Sequence, residues 1–195
     1  KPIVAVLSTG AAVVLPWREQ VDSILLMYLA GQNSGSAVLD LLLGDANPCG
    51  KLAETWSLAL EDTPCHGFFG NKGNVEYRES IYVGYRYYDK ASREVAYPFG
   101  HGLSYTEFVY SDLKLSTFEL GETDTVDVYV TVTNTGKQAG KEVIQLYVAP
   151  PTEGIFRPAR ELRAFAKVSL EPGESKNVSM TLNRRAFAYY DVNAK

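Results

Sequence analysis

The hydrophobic pattern gives the start of the chain an alternation of strands and helices. Residues 3–9 and residues 23–30 form two short, continuous apolar runs that contain β-branched or other bulky side chains. Such runs are typical of strands in a parallel sheet that is covered on both faces. Between them, Pro16 and Glu19 are placed as at the start of a short helix.

A longer helix is predicted directly after the second run. Apolar residues recur at helical spacing in the segment 36–44, and Gly44 stands where a helix would end. The order strand–helix–strand–helix indicates an α/β layer. About sixty residues are too few for a complete doubly wound sheet, so we expect the end of a larger α/β domain.

The middle of the chain, from Asp45 to about Tyr105, is predicted to be connecting chain. Aromatic residues and glycines crowd the segments 77–90 and 97–108, with too little periodicity for one helix or one strand. A flexible linker would be rich in Ser, Gly and Pro with few rings. We therefore expect an ordered connection that is pinned to a surface by its aromatic side chains.

From residue 108 onward the pattern has period two. Valines alternate with polar residues or Tyr129 between residues 126 and 134, which predicts a half-buried antiparallel strand. Similar alternation occurs in the segments 142–150, 165–170 and 176–182, and residues 171–174 have the composition of a turn. These strands predict a β-sandwich of the immunoglobulin or fibronectin type. Residues 186–192 are expected to begin a further strand, and the sandwich still needs its last strand or strands.

The charge of the chain excludes some partners. A net charge of -4 and a pI near 5.3 argue against binding to nucleic acid or to an anionic membrane. The densest basic cluster is Arg157, Arg160 and Arg163, and its spacing favours a solvated face over a binding site. No apolar run approaches the roughly 20 residues that span a bilayer.

Few residues offer thiol or imidazole chemistry. Cys49 and Cys65 are expected to be free thiols, with one disulfide as the alternative. The two histidines of the chain leave little material for a histidine metal site. Lys1 and Pro2 lead straight into an apolar run without an initiator Met or a signal peptide, so we expect a piece of a longer protein.

Several segments together resemble the C-terminal part of family 3 glycoside hydrolases, the β-glucosidase-like enzymes. They cover nearly the whole chain in the order known for the family, and GDANPCGKL, VGYRYYD and FGHGLSYT in combination are highly specific. Small departures are Cys49, Ala53 and Ser80, where Ser, Pro and Gly are expected. The matching segments are KPIVAVLSTG (1–10), GQNSGSAVLDLLLGDANPCGKLAETW (31–56), YRESIYVGYRYYDK (77–90), YPFGHGLSYTEF (97–108), VTNTGKQAGKEVIQLYV (132–148) and ELRAFAKVSLEPGES (161–175).

The resemblance implies a three-part parent enzyme: a (β/α)8-like barrel, an (α/β)6 sandwich and a fibronectin type III-like domain. Residues 1–60 would then be the end of the (α/β)6 sandwich domain, residues 61–107 an aromatic-rich linker, and residues 108–195 the fibronectin type III-like β-sandwich. The implied partners are a β-glycoside or oligosaccharide substrate and the missing barrel and sandwich portions. No cofactor and no metal are implied.

The resemblance also places the catalytic carboxylates outside this chain. Retaining glycosidases use two carboxyl groups; the nucleophile of this family is an Asp on the barrel, and the acid/base in most members is a Glu that would precede the strand at Ile3. We therefore assign no catalytic and no substrate-binding residue. The best local rival is Glu79, with Glu76 nearby, as a carboxylate in a sugar pocket. The expected alternative for Glu79 is an ion pair with Arg78 or Arg86 that fixes the connection.

Other polar and aromatic residues are expected to have structural roles. Each has a functional alternative: an ion site for the turn residue Asp45, acid/base chemistry for His101, a sugar platform for the two tryptophans, and glycosylation for the Asn177 sequon. The tyrosines of the segment 77–90 are expected to pack a seam between domains. The two tryptophans are Trp17 and Trp56, and the tyrosines are Tyr85, Tyr87 and Tyr88.

Two classes of function remain open from the sequence. In the first, the chain is the scaffold of an exo-acting retaining glycoside hydrolase and is inactive alone. In the second, it is a non-catalytic fibronectin-like module that binds carbohydrate or a partner domain. Within the enzyme class, a xylosidase, arabinofuranosidase or N-acetylglucosaminidase is also compatible with these residues, as are a cytoplasmic and a secreted location.

Overall fold

The structure is a computed structural model that describes residues 1–70, 73–121, 124–151 and 156–191. By its internal contacts the chain forms two compact units. The first unit comprises Lys1–Ala46 and Lys51–His101, and the second comprises Asn47–Gly50 and Gly102–Lys195. The segment 61–107, predicted as a linker, belongs to the first unit up to residue 101 and to the second unit after it.

The first unit begins with the predicted pair of parallel strands. Strand β1 (Val4–Leu7) pairs with β2 (Ser23–Leu26), and a 3-10 turn at Arg18–Gln20 lies between them in the chain. Val4 and Val6 remain 45% and 43% exposed. The expected cover on both faces of β1 is therefore incomplete within the described residues, because the face of Val4 and Val6 stays exposed while Ala5 and Leu7 are partly covered.

Helix α1 (Ser34–Leu43) follows β2 as the pattern predicts. It ends at Gly44, whose φ of +84° is left-handed and whose backbone N–H donates to the Leu41 carbonyl at 3.3 Å. Glycine adopts this conformation without the steric cost of a Cβ. The prediction of Gly44 as the helix stop is confirmed.

The aromatic middle of the chain contains regular structure that the sequence pattern did not reveal. Strand β3 (Trp56–Ser57) pairs antiparallel with β4 (Val95–Tyr97), and helix α2 (Tyr85–Lys90) lies between them in the chain. The prediction of irregular chain was wrong for these elements. A six-residue helix and strands of two and three residues are too short to display a period.

The second unit is an antiparallel β-sandwich in the part of the chain that the structure describes. Its first sheet has the order β5-β6-β9, and its second sheet pairs β7 with β8. The strands are β5 (Phe108–Leu115), β6 (Thr125–Asn134), β7 (Gly140–Val148), β8 (Glu161–Leu170) and β9 (Ser175–Asn183).

The core of the sandwich lies between the two sheets and follows the predicted alternation. Along β6 the valines are buried while the intervening residues are only partly covered. Leu170 of β8 and Val132 of β6 are completely inaccessible to solvent. The other members of the two core clusters are Val126, Val128, Val130, Ile144, Val178, Met180 and Leu182.

The strand expected at residues 186–192 is not formed by residues 186–191, and residue 192 lies outside the described part of the chain. A 3-10 turn (Arg184–Ala186) follows β9 instead. The backbone N–H groups of Phe187 and Ala188 donate to the carbonyls of Arg184 and Arg185 at 3.0 and 3.3 Å. These local bonds take donors that a strand would use for pairing.

The Leu170→Ala substitution should lower the free energy of unfolding of the sandwich by about 2–5 kcal/mol, because it empties a fully enclosed site. Leu113, which is 71% exposed on β5, offers a matched control. The Leu113→Ala variant should change stability by no more than about 0.5 kcal/mol. Urea denaturation followed by circular dichroism compares the two variants, and equal effects would contradict this description of the core.

Candidate functional site

Three loops of the second unit meet around the side-chain amide of Asn47. The Oδ1 of Asn47 accepts hydrogen bonds from the Ser104 hydroxyl at 2.8 Å and from the Tyr105 backbone N–H at 2.9 Å. Its Nδ2 donates to the Ala139 carbonyl at 3.0 Å. The Asn47 side chain thus connects the segment 47–50 to the segment that leads into β5 of the sandwich and to the loop between β6 and β7.

A second side-chain amide, that of Asn134 at the end of β6, is completely buried. Its Oδ1 accepts from the Thr106 hydroxyl at 2.7 Å and from the Gly136 N–H at 3.1 Å. Its Nδ2 donates to the carbonyls of Gln138 at 2.8 Å and Leu170 at 3.1 Å. All four hydrogen-bonding positions of the amide are filled. Asn134 is therefore a structural group with no capacity left for a ligand.

In the first unit, Tyr28 lies just after β2, at the carboxyl edge of the parallel pair. Its φ of +47° is unusual for a residue other than glycine. Its hydroxyl donates to Glu54 Oε1 at 3.1 Å, and its carbonyl accepts from the Ser8 hydroxyl at 3.0 Å. Burial, followed by the hydrogen bond to Glu54, raises the pKa of Tyr28. Tyr28 was not among the predicted site residues, because in the sequence it is only one member of an apolar run.

Glu79 is partly buried and its backbone carbonyl accepts from the Tyr82 N–H at 2.9 Å. Arg78 and Arg86 were the two expected ion-pair partners of Glu79, and the expectation was wrong for Arg78. Arg78 pairs with Glu76 instead, with Nε 2.6 Å from Oε2, and its guanidinium lies 4.0 Å from the centre of the Phe68 ring. Spacing alone could not choose between the two glutamates, because each lies within reach of Arg78.

The rings of the aromatic segment pack within the first unit. Tyr85 and Phe99 have ring centres 4.8 Å apart, and Tyr87 meets Tyr88 edge-on at 5.2 Å. Tyr88 is buried, whereas the other three are partly exposed. These contacts place the tyrosines as packing side chains inside one unit.

His101 lies at the end of the first unit and is stacked on Tyr97, with ring centres 5.3 Å apart. Its backbone carbonyl accepts from the Leu52 N–H at 2.8 Å. Burial, followed by the charge of Lys51, lowers the pKa of His101. The neutral imidazole is therefore favoured, as suits a packed ring.

The remaining candidates are spread over the chain. Asp45 is exposed, Trp17 is partly buried, and Trp56 is 2% exposed. Asn177 is exposed on β9, with its Nδ2 3.5 Å from the Thr131 hydroxyl oxygen.

Two members of the arginine cluster do not lie on the solvated face that was expected, whereas the third, Arg160, is exposed as predicted. Arg157 and Arg163 both bind Glu161 Oε2, at 3.3 and 2.8 Å, and their side chains are only 15% and 23% exposed. A shared carboxylate neutralises part of their charge and allows both guanidinium groups to lie against the protein. The Glu161 carboxylate lies two residues before Arg163 in the sequence. The expectation of a solvated face considered only the spacing of the arginines and did not include this carboxylate.

Further observations limit the chemistry of the described residues. Cys49 and Cys65 are free thiols, as predicted. Among the described residues no group of three or more His, Cys, Asp and Glu side chains is placed to hold a metal ion. Likewise, none of the helices described is long and apolar enough to cross a membrane.

Comparison with family models assigns both units. Residues 1–105 match the glycosyl hydrolase family 3 C-terminal domain, and residues 142–195 match the fibronectin type III-like domain. The chain belongs to glycosyl hydrolase family 3. This membership confirms the resemblance seen in the sequence and the predicted combination of the end of an α/β sandwich with a fibronectin-like β-sandwich.

Relatives of known name cover nearly all of this family 3 chain. It is 48% identical to thermostable beta-glucosidase B of Acetivibrio thermocellus, over 99% of the chain and 26% of that protein. It is 43% identical to probable beta-glucosidase I of Aspergillus clavatus, over 96% of the chain and 23% of that protein. The chain thus spans about a quarter of the length of the curated relatives it matches.

Solved structures of family 3 enzymes share the fold. Beta-glucosidase 3B from Thermotoga neapolitana, in complex with glucose, matches 98% of the chain and 27% of its own, with 43% identity and a TM-score of 0.91. The GH3 beta-glucosidase of Bifidobacterium adolescentis matches 97% of the chain and 28% of its own, with 40% identity and a TM-score of 0.90.

The contact between Tyr85 and Phe99 predicts that Tyr85→Ala lowers the free energy of unfolding by about 1–3 kcal/mol, since a partly buried ring and its aromatic partner lose their packing. Tyr77, which is 92% exposed, offers a matched control. The Tyr77→Ala variant should keep the melting temperature of the unmodified protein. A melting temperature unchanged in Tyr85→Ala would refute a packing role.

Proposed function

We propose that the full protein is a retaining, exo-acting glycoside hydrolase that removes terminal β-linked sugars, and that this chain is part of its scaffold. Relatives at 43% and 48% identity bear the name beta-glucosidase, and the fold of solved beta-glucosidases matches over 97–98% of the chain. The substrate of the full protein is accordingly a β-glycoside or oligosaccharide, bound together with the portions of the enzyme outside this chain.

The observation that supports the scaffold role is that polar residues of the family motifs form hydrogen bonds with one another. Asn47 of GDANPCGKL binds Ser104 and Tyr105 of FGHGLSYT, while Thr106 binds Asn134 of the VTNTG segment. Their polar groups are directed at one another and at backbone groups. Residues that serve a reaction would keep a donor or acceptor free for substrate.

The carboxylates with defined partners support the same assignment. Glu76 is bound to Arg78, Glu54 to Tyr28, and the buried Glu142 accepts from the Tyr110 hydroxyl at 2.9 Å. Retaining hydrolysis needs two carboxyl groups roughly 5–5.5 Å apart on either side of the scissile bond. We propose that both catalytic carboxylates belong to other parts of the full protein.

The three-part division into 1–60, 61–107 and 108–195 is part of this proposal. It assigns residues 61–107 to a connection between the α/β domain and the fibronectin-like domain. The names of the relatives favour the enzyme over a free-standing carbohydrate-binding module, because they are all named for hydrolysis of β-glucosides.

The full-length protein should hydrolyse p-nitrophenyl β-D-glucoside with release of the β-anomer first, as a double displacement requires. The Glu79→Gln variant should keep kcat/KM within about tenfold, because loss of a catalytic acid/base lowers the rate by a larger factor. Glu76→Gln is the matched control for removal of a nearby carboxylate. Initial rates measure kcat/KM of the variants, and NMR of the released sugar identifies the anomer that forms first.

Opposite results separate the two parts of the proposal. A folded full-length protein that leaves every terminal β-glycoside tested intact would remove the proposed activity. A loss of several orders of magnitude in Glu79→Gln, restored by azide, would make Glu79 catalytic and end the scaffold assignment.

A further inference from the structure

A small pocket opens on the second unit where β8, the end of β9 and the following 3-10 turn come together. Its volume is about 300 Å³, at the lower end of the range of roughly 300–1,000 Å³ found for ligand pockets. Two guanidinium groups, one amide and one hydroxyl line it, together with apolar groups. The lining residues are Arg163, Thr181, Leu182, Asn183, Arg185 and Ala186.

The pocket has an excess of positive charge. The Arg185 guanidinium makes no hydrogen bond or ion pair with any residue that the structure describes. Arg163 bonds Glu161 through Nη2 at 2.8 Å, but its Nε is buried and has no acceptor among the described residues. Glu161 also binds Arg157, so one carboxylate serves two guanidinium groups.

One further carboxylate lies close by and is occupied. Asp127 Oδ1 accepts the hydrogen bond of the Thr181 hydroxyl at 2.5 Å. Arg163 and Arg185 thus line the pocket, and its lining residues include no Asp or Glu. A guanidinium group binds carboxylates through two parallel N–H donors, which makes a carboxylate-bearing ligand the natural counterpart of this pocket.

An exposed aromatic ring adjoins the same group of charges. Tyr189 is 47% exposed, and its ring centre lies 5.1 Å from the guanidinium carbon of Arg157. Arg157 reaches Arg163 through their shared Glu161, so the ring and the pocket belong to one continuous cluster. An aromatic face offers an apolar surface to the C–H groups of a sugar ring.

We propose that this pocket binds an acidic sugar, a hexuronate, with its carboxylate held by Arg163 and Arg185 and its ring beside Tyr189. The site lies within the fibronectin-like unit and takes a sugar as a ligand, not as the bond to be cleaved. This binding proposal goes beyond the proposed hydrolysis. It can be tested independently, because the experiment measures binding and not hydrolysis.

Titration calorimetry of the full-length protein with sodium glucuronate, at constant ionic strength, tests the site. Wild type should show saturable binding, and Arg185→Gln should weaken it at least tenfold. Lys114→Gln, which removes one exposed positive charge from β5 of the same unit, should leave it unchanged. Any binding of glucuronate at the hydrolytic site should be the same in wild type and both variants, so it does not affect the comparison between them.

Glucose and acetate separate the two halves of the recognition. Both should bind at least tenfold more weakly than glucuronate, because each lacks either the carboxylate or the ring. Acetate or glucose binding as tightly as glucuronate would overturn the proposal. So would undetectable glucuronate binding in wild type, or equal weakening in Arg185→Gln and Lys114→Gln. An unchanged melting temperature of Arg185→Gln, whose side chain is exposed, excludes unfolding as the cause.

Discussion

Two side-chain amides form the connection on which the second unit depends. Asn47 and Asn134 lie 87 positions apart in the sequence, yet both hold the short stretch Ser104–Thr106 that leads into the β-sandwich. Each amide bonds backbone groups of loops, and Asn134 also bonds the Leu170 carbonyl at the end of β8. A buried polar group without partners would destabilise the fold, so the completely buried Asn134 requires the bonds that its amide makes.

The same network explains why glycines stand beside it. A Cβ on Gly140 would come within 2.7 Å of Thr106 Cγ2 and 2.9 Å of Phe108 Cζ. A Cβ on Gly136 would collide with the Thr106 hydroxyl oxygen. The family-specific segments therefore define a close packing of loops. Such a structure suits the scaffold role proposed above, because a scaffold requires a fixed shape more than a reactive group.

The sequence predicted elements whose residues carry a long or unambiguous pattern. The alternating valines from Val126 to Val132 span a whole strand, and Gly44 ends a ten-residue helix. Elements fixed by contacts distant in the chain were not predictable in this way. The short strand at Trp56 exists because residues 95–97 pair with it.

The candidate sites show the same division between local and distant information. Within the family motif at residues 44–52, the sequence pattern favours Asp45, which is exposed, whereas Asn47 two positions later makes the bonds. Arg157 and Arg163 formed a visible cluster, but only the structure shows their shared bond to Glu161. A side chain's partner depends on tertiary contacts that the residue spacing does not contain.

Hydrogen exchange at the Tyr105 amide tests the role of Asn47 most directly, because that N–H donates to the Asn47 side chain. In Asn47→Ala, exchange over residues 102–108 should accelerate roughly ten- to hundredfold, since a lost hydrogen bond to a partly buried amide costs about 1–3 kcal/mol. Asn33→Ala, which removes an amide with no capping bond at the start of α1, should leave that exchange unchanged. Equal protection of Tyr105 in both variants would show that the amide of Asn47 does not hold the entrance of the sandwich.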